Sequence, residues 1–130
     1  MKLRFAVVDD APFLREILKN LAISLGGVCV GEADNGNEAV TLVTNTLPDL
    51  VFLDMVMPEK NGIEAAREIK EFFPSTKIIG CSTVDDNHLI QTAYAAGFDA
   101  YVTKPFTKDE ILNTIKKLFP HLEDSADGRT

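Results

Sequence analysis

Short apolar runs alternate along the chain with longer segments in which apolar residues recur every three to four positions. The runs are Leu3 to Val8, Val28 to Ala33, Leu50 to Leu53, Thr76 to Cys81 and Ala100 to Thr103. Runs this short and this apolar read as strands buried on both faces, as in a parallel sheet covered by helices. The segments between them carry helical faces: Phe13, Leu14, Ile17, Leu18, Leu21, Ala22 and Leu25, then Ala39, Val40, Leu42 and Val43, then Ile63, Ala66, Ile69 and Phe73. Leu89, Ile90, Ala93 and Tyr94 mark a fourth helix, and Ile111, Leu112, Ile115, Leu118 and Phe119 a fifth.

The punctuation agrees with this division. Pro12 suits a first helical turn, where its missing N–H costs nothing, and Gly26-Gly27 stops the helix that follows. Asn35 with Glu38 reaching back, and Thr107 with Glu110, predict capping boxes. Asp85 or Asp86 can open the fourth helix, Gly97 closes it, and Pro74 ends the third. Strand–helix alternation at this spacing implies right-handed crossovers, and so an α/β fold with a parallel sheet and helices on both faces.

Composition narrows the function. The 130 residues suffice for one domain with a sizeable core. Thirteen basic residues against twenty acidic give a net charge of -7, which disfavours direct binding to nucleic acid or anionic membranes. No apolar run has the length of a transmembrane helix and the N-terminus lacks a signal-peptide pattern, so a cytoplasmic protein without membrane insertion is expected. Cys29 and Cys81 have neither CxxC spacing nor a nearby histidine, which leaves two buried thiols. Glu123 to Thr130 is polar and without period, so residues 1–120 are read as the domain and 121–130 as a flexible polar tail.

The chemistry gathers at the carboxyl ends of the strands. The first run ends in Asp9-Asp10, the central run in Asp54, the fourth in Ser82 and the fifth in Lys104. Open α/β sheets place their ligands on this rim. An aspartate after a strand more often caps a turn, and a lysine there is more often a surface charge; the coincidence of four such ends is what carries information. Three converging carboxylates repel strongly at the dielectric of a partly buried site. A hard divalent cation relieves that repulsion, and Mg²⁺ takes oxygen ligands while keeping several waters. With a lysine and a hydroxyl to hold phosphoryl oxygens, the set describes phosphoryl transfer onto an aspartate.

Val7-Val8-Asp9-Asp10, Leu53-Asp54-Met55-Val56-Met57-Pro58, Asn61-Gly62, Cys81-Ser82, Ala96-Gly97-Phe98 and Lys104-Pro105-Phe106 together resemble the receiver domain of bacterial two-component response regulators, most of all its single-domain chemotaxis type. The resemblance implies a flavodoxin-like sheet of order 2-1-3-4-5 with five helices. It implies that Asp54 accepts a phosphoryl group from a histidine kinase or phosphotransfer protein. It further implies Mg²⁺ bound directly by Asp10, Asp54 and the Val56 carbonyl and through water by Asp9. By the same likeness Lys104 contacts the phosphate and precedes a cis bond to Pro105, Ser82 is the switch hydroxyl, and Tyr101 is the aromatic switch. A downstream target would dock on the face of the fourth helix, fifth strand and fifth helix. The phosphodonor would use Pro12, Phe13 and Glu16 with the Pro105-Phe106 loop. The strand order also holds Cys29 and Cys81 ~14 Å apart, beyond disulfide reach.

Three residues depart from the family pattern. Thr83 follows the switch hydroxyl where a smaller residue is usual and is expected to narrow access to the phosphate, and Val56 and Val84 are apolar where polar side chains would orient a hydrolytic water. A long-lived phosphorylated form is expected, reset by a separate phosphatase. The alternatives are a receiver fragment of a longer regulator, a Mg²⁺-dependent phosphatase with an aspartyl-phosphate intermediate, and a scaffold without phosphorylation. Val56, two residues after Asp54, cannot serve as the general acid such a phosphatase needs, and the complete acidic set argues against a bare scaffold.

Overall fold

Each strand of the sheet sends alternate residues to opposite faces, and both faces are apolar. The computed structural model describes residues 2–57, 59–83 and 85–122. Strands β1 (Arg4–Val8), β2 (Val28–Ala33), β3 (Leu50–Leu53), β4 (Lys77–Ser82) and β5 (Ala100–Thr103) form one parallel sheet in the order β2-β1-β3-β4-β5. The helices are α1 (Pro12–Ser24), α2 (Gly36–Thr46), α3 (Gly62–Phe72), α4 (Asn87–Ala96) and α5 (Lys108–Leu118). This is the flavodoxin-like order that the resemblance implies.

Phe5, Val7, Leu50, Phe52, Ile79 and Cys81 pack against Leu18 and Ala22 of α1 and Ile111 and Ile115 of α5. Ala6, Val8, Val51, Leu53 and Ile78 meet Ala39 and Val43 of α2, Ala65, Ala66 and Ile69 of α3, and Ala93 of α4. Burying each large apolar side chain contributes roughly 1.5–3 kcal/mol. Phe5 and Phe52 add an edge-to-face contact with ring centroids 6.2 Å apart. Cys29 and Cys81 are both free and sit on β2 and β4, three strands apart in the sheet order; Cys81 is buried as expected, whereas Cys29, on the edge strand β2, is only partly buried.

Several local expectations shift. The first strand begins at Arg4, with Leu3 buried just before it, and the fourth runs from Lys77 through Ser82. Asn35 caps α2 as expected, but Glu38 returns its bond to the Asn35 side-chain amide and not to the backbone, so the box is incomplete. The complete boxes are Thr107 with Glu110, as expected, and Asn61 with Glu64, an N-x-x-E signal not among the expected caps. Asp86 caps α4. Phe13 is 75% exposed, and Leu89 and Tyr94 are 36% and 46% exposed, although all three continue an apolar helical face. Leu89 and Tyr94 face outward because α4 lies on the sheet through the small side chains of Ala93 and Ala96. Leu122 still packs against the core on the α1 and α5 face of the sheet, while residues 123–130 of the expected tail lie outside the described residues. Among the described residues no helix is long and apolar enough to cross a membrane.

Candidate functional site: an acidic rim at the carboxyl ends of β1, β3 and β5

The sheet's own ladder positions the chemical groups. Asp9, Asp54 and Lys104 each follow the last residue of a strand. Each has its backbone N–H held by a carbonyl at the end of the adjacent strand: Asp9 on Ala33, Asp54 on Val8 and Lys104 on Ser82, at 2.8–3.1 Å. One further step of β pairing therefore fixes where each side chain departs, before any side-chain contact forms.

The side chains converge. Lys104 Nζ lies 2.8 Å from Asp9 Oδ2 and 3.4 Å from Asp54 Oδ2. Asp9 is 1% exposed and its Oδ1 accepts from the Ala11 N–H; Asp54 is also buried and its Oδ1 accepts from the Val56 N–H at 3.1 Å. Asp10 stands exposed at the edge, and one oxygen from each of Asp9, Asp10 and Asp54 lies within 4.8 Å of the others. Three carboxylates against one ammonium leave two negative charges, the deficit a divalent cation would cancel. A hard, all-oxygen donor set with one open, solvent-facing member suits Mg²⁺, which keeps part of its water shell.

Burial holds the Asp54 carboxyl above the ordinary carboxylate range, and the neighbouring Asp9 charge adds to this against the Val56 N–H and Lys104. Burial pulls Lys104 down, but the Asp9 and Asp54 carboxylates outweigh it and leave the ammonium more firmly protonated than usual. The Cys81 thiol is pushed up to about 12 by burial, which makes it an inert packing group beside the rim.

Ser82 is buried at the end of β4, and its side chain shares a hydrogen bond with Tyr101, which is half-buried on β5. The Lys104–Pro105 bond is cis. Thr83 is exposed and lines an open groove of about 520 Å³ with Leu14, Ile17, Leu21, Lys104, Pro105, Phe106 and Lys108. Val56 is 60% exposed, and Val84 lies outside the described residues.

Two supports went unread in the sequence. Arg15 Nη1 donates to the Asp9 carbonyl at 2.6 Å while its Nε pairs with Glu32, bracing the turn that carries Asp9 and Asp10. Its signal was a basic residue one turn after Pro12, which reads as any surface charge until β2 is placed beside α1. Gly62 opens α3 against the rim: a methyl there would stand 2.2 Å from the Asp54 carbonyl oxygen. Only a residue without Cβ lets α3 start that close to the strand end.

The pattern of the response regulator receiver domain matches residues 5–116. The chain belongs to the response regulator receiver family. It is 38% identical to the chemotaxis protein CheY of Thermotoga maritima over 88% of this chain and 96% of that one. Its receiver fold superimposes on the CheX–CheY–BeF3–Mg complex of Borrelia burgdorferi with a TM-score of 0.86 at 27% identity, over 90% of this chain and 89% of that one. It matches the receiver domain of the response regulator NarL from Mycobacterium tuberculosis with a TM-score of 0.85 at 30% identity, over 92% and 98%. As a receiver the chain is a CheY-like component of two-component signalling.

Proposed function

We propose that this receiver is a cytoplasmic, phosphorylation-controlled switch in which Asp54 takes a phosphoryl group from a histidine kinase or phosphotransfer protein. The observation that carries this is the placement of Asp54 and Lys104 on the ladder, with Asp9 and Asp10 beside them. An Asp54 carboxylate oxygen attacks the phosphorus of a phosphohistidine. The new O–P bond forms as the N–P bond breaks, and the imidazole leaves to take a proton from solvent. Asp9, Asp10, Asp54 and the Val56 carbonyl would hold Mg²⁺. Bound there, the ion would neutralise charge gathering on the phosphoryl oxygens.

Lys104, which spans Asp9 and Asp54 at rest, is within reach to follow the charge onto the phosphoryl oxygens. Ser82 supplies a hydroxyl donor, and its bond to Tyr101 links the site to β5. Catalysis is confined to the chain's own aspartate; output is docking, with a separate phosphatase resetting the state. The phosphodonor would approach over the exposed Pro12, Phe13 and Glu16 and the groove beside Pro105 and Phe106. The downstream target would use the face of α4, β5 and α5, where Leu89 and Tyr94 are exposed. The receiver unit spans residues 1–120 in this reading. A second reading, a receiver unit within a longer regulator, has the likeness to the NarL receiver domain in its favour and uses the same rim.

The deciding test is incubation with Mg²⁺ and a small acyl phosphate, followed by intact mass. One hydroxylamine-labile phosphoryl equivalent is expected on the wild type and none on Asp54→Asn. A full equivalent on Asp54→Asn would remove Asp54 as the acceptor.

A further inference from the structure

Gly80 interrupts β4 on the sheet face that meets α3 and α4. A methyl at Gly80 would stand 2.5 Å from two ring carbons of Phe98 and 2.9 Å from a ring carbon of Tyr101. Carbon atoms do not approach that closely without displacement, so the two rings fill the space that any other β4 residue would need. Phe98 is the deeper of the two, 3% exposed and packed into the core under α2, α3 and α4. Tyr101 leans on it with ring centroids 6.5 Å apart and planes tilted by 39°. Gly80 and Tyr101 are also register partners across β4 and β5. Ser82, the hydrogen-bond partner of Tyr101, projects from the same face of β4 as Gly80, two residues on.

We propose that Phe98, seated in the gap over Gly80, is a positioning residue that sets how deep the Tyr101 ring lies and so holds its hydroxyl against Ser82. The inference rests on the reading of Ser82 and Tyr101 as a switch pair. Phe98 cannot sink, because the β4 backbone at Gly80 lies directly beneath it. Tyr101 therefore meets a fixed floor on its inner side and solvent on its outer side. Its inward travel is set by the size of the residue at 98, and its resting height by the absence of a side chain at 80. The two positions act in opposite directions. A methyl at 80 lifts both rings and parts Tyr101 from Ser82, whereas a smaller residue at 98 lets Tyr101 drop inward.

The test uses the full chain with 3-fluorotyrosine in a Tyr94→Phe background. The chain has two tyrosines, so Tyr101 then gives the single fluorine signal. In Gly80→Ala the resting signal should move at least halfway toward its value in the urea-unfolded chain. In Phe98→Leu it should move the other way. On phosphorylation the wild-type signal should shift, and both variants should lose at least two-thirds of that shift. Their rates of phosphoryl uptake with Mg²⁺ and an acyl phosphate should stay within twofold of wild type, because the rim residues are untouched. Signals unchanged in both variants, or moving in the same direction, would overturn the proposal. Should the wild type take up no phosphoryl group, the switch reading fails, but the resting positions still decide the role of Phe98. Should a variant not fold, ring-to-ring nuclear Overhauser effects between Phe98 and Tyr101 in the unsubstituted chain decide it: their absence overturns the proposal.

Discussion

The acidic rim and the Tyr101 flank lie three residues apart on β5 and its exit, yet they are built on opposite principles. At the rim the backbone does the positioning: Asp9, Asp54 and Lys104 hang from ladder hydrogen bonds of 2.8–3.1 Å, and charge then draws their side chains together. At the flank the ladder sets only where Tyr101 leaves the strand, and ring packing over a missing side chain decides where its hydroxyl ends up. The rim is anchored by backbone hydrogen bonds and is electrostatic in character. The flank is shallow and half-exposed, suited to a ring that changes position at small cost. In the proposed function the rim would read the phosphoryl group, and the flank would convert that reading into a change of surface.

Charge at the rim is the first part of this contrast to break. In Lys104→Met, Asp9 and Asp54 face each other in a buried site without a counter-ion. Leaving buried charge unpaired costs about 3 kcal/mol of unfolding free energy in metal-free buffer. Urea titrations should show that loss, and added Mg²⁺ should recover a larger share of it than the ion adds to wild type. No recovery would mean that the three carboxylates do not share one cation.

Sterics at the same rim make the next largest effect. Gly62→Ala places a methyl against the Asp54 carbonyl oxygen, a backbone atom that cannot give way without moving β3 or α3. Overpacking of this kind costs about 2 kcal/mol. Mg²⁺ should not relieve it, which separates backbone fit from charge. A Gly62→Ala variant as stable as wild type would show that α3 can back away from the strand end freely.

Val56 sharpens the contrast on the kinetic side. Its side chain is 60% exposed beside Asp54 and can neither donate nor accept a hydrogen bond, so it cannot orient an attacking water. Val56→Asn should shorten the first-order lifetime of the phosphorylated form ~10-fold, or about 1.4 kcal/mol of barrier, with Mg²⁺ held constant. An unchanged decay would show that water placement at this position does not set the lifetime.

The smallest effect lies behind the rim, where Lys19 and Arg15 donate to Glu32. Lys19 first, and then Arg15, hold the Glu32 carboxyl below its ordinary value of 4.5 despite partial burial. A depressed folded value means that the stabilisation is present above 4.5 and fades as pH falls through the lower folded value. The pairs are exposed and screened by salt, so the contribution is slight. Stability measured between neutral and acid pH should fall less steeply in Glu32→Gln. An identical slope would assign that acid sensitivity to other carboxylates.

Much of this molecule is legible in the chain itself. Five apolar runs and five helical faces gave the α/β architecture, because a strand buried on both sides must be apolar throughout and a covering helix only along one stripe. Asp9, Asp10, Asp54, Ser82 and Lys104 could be placed on one rim because a parallel sheet sends all its strand ends the same way. The resemblance added the strand order and the cis bond before Pro105, and both are present.

Tertiary structure alone decided the rest. Phe13, Leu89 and Tyr94 continue their helices' apolar stripes, yet they stand exposed, because periodicity states which face a residue shares and not how far the neighbouring layer extends. Arg15 gained its meaning only when β2 came to lie beside α1 and brought Glu32 within reach. Gly80 carries no signal beyond weak strand propensity, and Gly62 enters only as half of the Asn61-Gly62 motif; the need for a missing side chain at each lies in the atom of a distant segment that fills its place. Chain pattern is a property of neighbours in sequence; a gap is a property of neighbours in space.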